Sequence, residues 1–418
     1  MRGIGNLWQL CGFIMQKVII EEPYEFVPPG RGKMWPWLVK LMLNRHLRQA
    51  HAIHSIECRE VQRIRDSFAA GHGVLMTPNH SRLSDPMLLG VLGKYMQRDM
   101  HTMASWHLFK QDWFSGFLTR KLGAFSVYRE GVDRQAINTA VDILVDGKRP
   151  LVMFPEGAVS RHNDQLMPLM DGPSFIARTA AKRREKNNVK GGIVVHPIAI
   201  RYFFRGDLEA TVTPVLEEIE SHFSWYPQRE KTIIQRLRQI GQALLSLKEV
   251  EYLGAARVGE FEERLENLLV DVLARLEGKW GLKDTGEGVV TRVKNLRTAI
   301  MPDLLKNNLS AAERHVRWKQ LAACYYVQQI SHYPPHYVHR EGPNILEHIL
   351  ETVERFEEDF TDQARTHGPL HAVIQVGEAI PVGSKRVRGK DADPVMNGIR
   401  TQLTDMLSKL SDEAVKVS

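Results

Sequence analysis

The strongest constraint on this chain is a rhythm between residues 59 and 205. Short apolar runs rich in β-branched residues, GVLMT (73–77), DMHTMAS (99–105), AFSVY (124–128), PLVMF (150–154) and GIVVHPIAIRY (192–202), alternate with the helix-forming stretches EVQRIRDSFAA, PMLLGVLGKYM, DRQAINTAVDILVDG and GPSFIARTAAKRR. Strands separated by helices return to their sheet in the same direction. The rhythm therefore predicts an α/β fold with a mixed, largely parallel sheet flanked by helices. Gly71, Gly123 and Gly147 fall where those helices should end.

Beyond Asp207 the character changes. REKTIIQRLRQIGQALLSL, VGEFEERLENLLVDVLARLEGKW, SAAERHVRWKQLAACYYVQQI and NILEHILETVERFEEDF all carry helical periodicity with charge pairs four residues apart. Strand character returns in HAVIQVGEAIPV (371–382), and a last helix follows from residue 393. One strand and one helix cannot bury a core of their own, so they are expected to complete the first α/β unit. This organisation reads as an N-terminal arm and amphipathic helix over 1–58, an α/β core over 59–206, an all-helical insertion over 207–368, and a closing strand and helix over 369–418.

The N-terminal part is ambiguous. Residues 4–16, IGNLWQLCGFIMQ, are uncharged but shorter than the roughly 20 apolar residues that span a bilayer, and no signal-peptide cleavage pattern follows. An interfacial or a buried helix fits equally well. Pro23, Pro28, Pro29 and Pro36 predict an extended arm, with a helix starting after Pro36. That helix, WLVKLMLNRHLRQA, is basic and amphipathic, suited to an anionic membrane surface or to packing on the domain. The net charge of +7 suits phosphate-bearing partners without choosing among them. Three scattered cysteines, Cys11, Cys58 and Cys324, indicate neither a disulfide framework nor a thiolate metal site, and point to a reducing compartment.

Familiar signatures are absent: there is no GxSxG, GxxxxGK[ST], HExxH or CxxC. NHSRLSDP (79–86) instead places His80 where a predicted strand meets a loop, a common site for chemistry in α/β sheets. Asp85-Pro86 has the form of an N-cap followed by a proline at the first helical position, which leaves His80 as an ordinary loop histidine. Alternatively the loop bends so that Asp85 accepts a hydrogen bond from one imidazole nitrogen, and the other nitrogen serves as a base.

Three further segments bear on that choice: GAFSVYREG (123–131) with Arg129, FPEGAVSR (154–161) with Glu156, and VVHPIAI (194–200) with Pro197. Taken with NHSRLSDP, their order and spacing resemble the four motifs of the glycerolipid acyltransferases, the family of 1-acyl-glycerol-3-phosphate and glycerol-3-phosphate acyltransferases. The likeness covers about residues 60–205, with 371–410 as a further part, and gives the helical block no counterpart. It implies that His80 is the general base and Asp85 its orienting partner. It also implies that Asn79, Arg129, Glu156 and Gly157 serve the acceptor, with Ser160 and Arg161 as lesser candidates. Ala158-Val159 stands where the family usually has Thr-Arg, which bears on acceptor identity more than on reaction type.

The resemblance implies an O-acyltransferase of phospholipid biosynthesis. An acyl-CoA or acyl carrier protein thioester would be the donor, and glycerol 3-phosphate or a lysophospholipid the acceptor. No cofactor, no metal and no nucleic acid are expected. The protein would be cytoplasmic and peripheral on the inner face of a membrane. Two rivals stay open: a thioesterase or lipase using Ser81 or Ser84 beside His80, and a non-catalytic lipid-binding scaffold. KRREKNNVK (182–190) reads as a solvated helix end or as a contact for acidic carrier protein or phosphates. HYPPHYVHR (332–340) reads as a loop without metal-ligand spacing. Trp106, Trp113, Phe114 and Phe117 line an acyl groove or pack the core.

Overall fold

The computed structural model describes residues 21–283, 286, 288–306, 308–333, 344–385, 393–414 and 416–417. The apolar segment 4–16, Cys11, His336 and His339 lie outside them. Two compact units are present: among the described residues one holds 23–205 and 369–414, the other 21–22, 206–368 and 416–417.

The first unit is the expected α/β structure. In chain order it contains α1 (Met34–His51), β1 (Ile53–Arg59), α2 (Gln62–Ala69), β2 (Gly73–Pro78), α3 (Asp85–Met96), β3 (His101–Ser105), α4 (Trp113–Lys121), β4 (Ala124–Val127), α5 (Arg134–Asp146), β5 (Leu151–Val152), α6 (Gly172–Lys186) and β6 (Ile193–Phe204). The second unit is built on α7 (Leu208–His222), α8 (Ile233–Leu253), α9 (Phe261–Trp280), α10 (Val289–Leu304), α11 (Ala311–Ile330), β7 (Asn344–Ile345) and α12 (Leu346–Thr361). The chain then returns to the first unit through β8 (Leu370–Val376), β9 (Ile380–Val382) and α13 (Pro394–Ser411), and β10 (Lys416–Val417) pairs with β7.

The large sheet runs β1-β8-β6-β2-β5-β3-β4, with β9 also paired to β6. Pairings from β6 to β4 are parallel, whereas β8 and β9 join β6 antiparallel. All twelve residues of β6 are buried, as its nearly unbroken apolar run requires of a central strand. Pro197 is tolerated there for a local reason. On one side β8 pairs with Ile198–Phe204 and β9 with Ile193–Val195, so the missing N–H falls at the gap between two partner strands. A core of α5, α6 and α13 side chains covers one face of the sheet.

Three details depart from expectation, and a fourth adds to it. Helix α1 begins at Met34, with Pro36 inside its first turn, where a backbone N–H has no helical acceptor to lose. Ile53–Arg59, to which no element was assigned, forms β1, and its parallel pairing with β8 supplies what periodicity alone did not. The 371–382 run is two strands rather than one, bent at Gly377, whose amide donates to the Pro197 carbonyl at 2.8 Å. The proline-rich arm lies along the edge of β4: Ser126 N donates to Val27 O (3.0 Å), Val27 N donates to Ser126 Oγ (2.8 Å), and Tyr24 hydrogen-bonds Asp133 (2.5 Å). An otherwise open edge is thereby covered.

Candidate active site

Because β2, β3, β4 and β5 run parallel, the loops that follow β2, β4 and β5 share one end of the sheet. His80, Arg129 and Glu156 all lie in those loops. The register adds a second element. Pro78 ends β2 opposite Ile198, so residues 199–204 of β6 project beyond β2 and form a wall beside the His80 loop.

Two asparagines fasten loops to that wall. Asn79 donates from Nδ2 to Ile200 O (3.0 Å) and accepts from Ile200 N (2.7 Å). Asn163 repeats this two residues on, donating to Tyr202 O and accepting from Tyr202 N (2.7 Å). Asn79 is buried, and its side-chain amide is engaged with the β6 backbone through both nitrogen and oxygen.

His80 and Asp85 meet. Nδ1 of His80 lies 2.8 Å from Oδ2 of Asp85, and the carboxylate is fully buried. The same oxygen accepts from Arg82 N at 2.9 Å, while Oδ1 accepts from the Tyr202 hydroxyl at 2.5 Å. Asp85 opens α3 but does not cap it; Ser84 stands at the N-cap without a side-chain capping bond, so the cap expectation is replaced by this inward network. The positive end of the α3 dipole still favours the carboxylate there. An ionised carboxylate only accepts hydrogen bonds, so its pairing places the imidazole proton on Nδ1 and leaves Nε2 as the basic nitrogen. Phe154 stacks on the imidazole with ring centroids 4.0 Å apart, limiting its rotation.

Glu156 underlies the site from the other side. Its carboxylate is buried, with Oε1 accepting from His80 N (2.6 Å) and Oε2 from Met167 N (3.0 Å). Burial pushes its pKa up to about 7, against the opposing pull of the two amides, and the Asp85 charge raises it further. Its two oxygens are thus engaged with backbone, and Glu156 ties the loop after β5 to the His80 loop. Ser160 acts similarly. It is buried, and both its amide (2.7 Å) and its hydroxyl (3.0 Å) donate to His80 O.

Gly157 turns with φ +71°, and a Cβ there would meet Met170 Sδ at 2.7 Å, so this turn requires glycine. Its carbonyl accepts from the half-buried Arg129 guanidinium, which brings Arg129 to the same turn. Arg161 follows in a left-handed conformation with φ +64°.

One nominated feature stands away from this site. Arg184, from KRREKNNVK, is buried and donates to Gly71 O (2.6 Å) just before β2 begins. Six strand residues separate that end of the sheet from His80, a span of about 20 Å. Of the aromatic residues, Trp106 is buried against Tyr24, whereas Trp113 is 80% exposed. Among the described residues no group of three or more His, Cys, Asp or Glu side chains is placed to hold a metal ion, and no helix is long and apolar enough to cross a membrane.

Tyr202 and Asn163 went unassigned in the sequence. The available signal was alternation along β6: residues 198, 200 and 202 share one face, so a register that carries β6 past β2 brings Tyr202 to the His80 loop.

No curated protein matches the chain. Residues 55–201 match the family model described as Acyltransferase. That stretch runs from β1 to β6 and contains His80, Asp85, Arg129, Glu156 and Gly157, and the match supports acyl transfer as the chemistry of this enzyme.

Proposed function

We propose that the protein moves a fatty acyl group from an acyl-CoA or acyl carrier protein thioester to a hydroxyl of glycerol 3-phosphate or a lysophospholipid. The carrying observation is the His80–Asp85 pair at the end of the sheet. Nε2 takes the proton of the acceptor hydroxyl as its oxygen attacks the thioester carbonyl. The new C–O bond forms, the C–S bond breaks, and the departing thiolate takes the proton from the imidazolium. Asp85 stabilises that imidazolium and fixes its tautomer.

Arg129, held at the Gly157 turn, and Arg161 beyond it are the cations for an acceptor phosphate, since guanidinium matches phosphate oxygens in pairs. The hydrolase alternative has less support. Ser81 and Ser84 are both buried, and among the described residues no hydrogen bond joins either hydroxyl to His80.

A lipid surface is the proposed setting. Met34, Trp37, Leu38 and Leu41 form an exposed apolar stripe on α1, extended by Arg45 and Arg48, and α1 contains no acidic residue. Trp35 meets Phe117 edge-on and Phe117 stacks on exposed Trp113, so the aromatic surface continues onto α4. Apolar side chains bordered by basic ones suit the interface of an anionic membrane.

The decisive assay offers the purified chain a panel of phosphorylated and neutral acceptors with labelled acyl-CoA or acyl carrier protein, beside His80→Ala. Transfer that needs both an acceptor hydroxyl and His80 supports the reading. Acyl release independent of any acceptor, or transfer that survives in His80→Ala, refutes it. Arg129→Ala should raise KM for phosphorylated acceptors alone.

A further inference from the structure

We propose that Tyr202 is a positioning residue of the His80–Asp85 pair: its phenol donates to Asp85 Oδ1 and so sets how strongly Oδ2 holds the His80 Nδ1 proton. The inference rests on the reading of His80 as general base.

The hydrogen-bond directions follow from the donor inventory. Tyr202 has one hydroxyl proton, and the buried carboxylate at 2.5 Å only accepts, so that proton points to Asp85. Ser84 Oγ, 2.9 Å from the phenol oxygen, must then donate to it. The result is a one-way chain from Ser84 through Tyr202 to Asp85, which meets the His80 proton at its other oxygen. Tyr202 is fully buried, and burial, reinforced by the Asp85 charge, drives its pKa far above the ordinary tyrosine value. The phenol thus remains a donor throughout the working pH range.

Arg82 N and His80 both bind Oδ2, so Tyr202 is the side chain that donates to Oδ1. Tyr202 sits on the part of β6 that projects past β2, one residue beyond the family-matched stretch.

Charged and titratable groups around the network are few. Arg82 lies over the Tyr202 ring, 5.3 Å from its centroid. Glu156 approaches from the loop after β5. His51, at the end of α1, feels the Arg82 charge, and burial pushes it down to about 4, leaving it neutral near pH 7.

Removing the phenol proton donor makes Asp85 a stronger acceptor for the imidazolium, so His80 should hold its proton to higher pH. The test is the His80 ring titration followed by NMR in the full-length chain with labelled histidine, the signal being assigned by its loss in His80→Ala. Tyr202→Phe should raise the midpoint by roughly half a unit to one unit. The acid limb of kcat/KM should move the same way. A merely structural tyrosine would change melting and leave the midpoint in place.

An unmoved or lowered midpoint in folded Tyr202→Phe overturns the proposal. If that variant does not fold, Ser84→Ala decides, with a smaller upward shift expected and no shift overturning it. Transfer activity surviving in His80→Ala would instead defeat the general-base reading, while the NMR midpoint would still report whether Tyr202 holds the pair.

Discussion

Three buried carboxylates of the helical unit and two of the α/β unit are partnered in opposite ways. In the helical unit Glu220, Glu249 and Glu277 are closed off by arginine, whereas Glu357 there meets both Arg365 (2.8 Å) and His367 (2.6 Å). Glu220 is paired through both oxygens by Arg236 (2.7 and 2.9 Å), Glu249 by Arg264 (3.0 and 2.7 Å), and Glu277 by Arg292 (2.8 and 2.6 Å). Burial alone would raise the Glu249 pKa, but Arg264 and the Arg257 amide hold it below the ordinary value. In the α/β unit, Asp85 and Glu156 are buried against backbone amides, a phenol and an imidazole. Full ion pairs join helices and leave no group for proton transfer. A carboxylate held by neutral donors can still direct its charge at a histidine.

The contrast can be broken most severely at His80. His80→Ala should reduce turnover by about 10² to 10⁴ while leaving the melting transition in place; near-normal turnover in a steady-state assay would remove the dyad from the chemistry. The helical counterpart is structural. Arg236→Met strands a buried charge and should cost about 3 to 5 kcal/mol in denaturant unfolding, with much of it recovered when Glu220→Leu is added. Failure of that recovery would mean that the pair does more than satisfy itself.

Glu156 offers a pH signature. Its folded pKa lies above its unfolded one, so between about pH 4.5 and 7 the folded state holds a proton that the unfolded state has released. Stability is therefore lost as pH rises through that window, by roughly 3 kcal/mol from this group. Unfolding measured at pH 5 and pH 8 should show Glu156→Gln lacking this loss, so its deficit against the parent shrinks as pH rises. A deficit constant with pH would contradict the assignment. The smallest effect concerns the surface: Trp37→Ala together with Leu41→Ala should weaken sedimentation with anionic vesicles roughly tenfold and leave transfer to a soluble acceptor unchanged.

Much of this molecule was legible in its sequence because the relevant signals are local. β-Branched runs alternating with helical periodicity dictate layers of sheet and helix, and strands such as β2 and β6 appear where those runs fall. The order of NHSRLSDP, Arg129, FPEG and Pro197 along the chain likewise marks one end of a parallel sheet. Other features depend on partners distant in sequence. Strand β1 exists through pairing with β8, more than 300 residues away, and the inward turn of Glu156 depends on the amides of His80 and Met167. The bonds of Asn79 to Ile200 follow from β6 extending past β2. That same register brings Tyr202 to Asp85. Local periodicity determined the layers and the position of His80, and tertiary structure alone decided which donors surround Asp85, since strand register and burial arise from contacts that no short stretch contains.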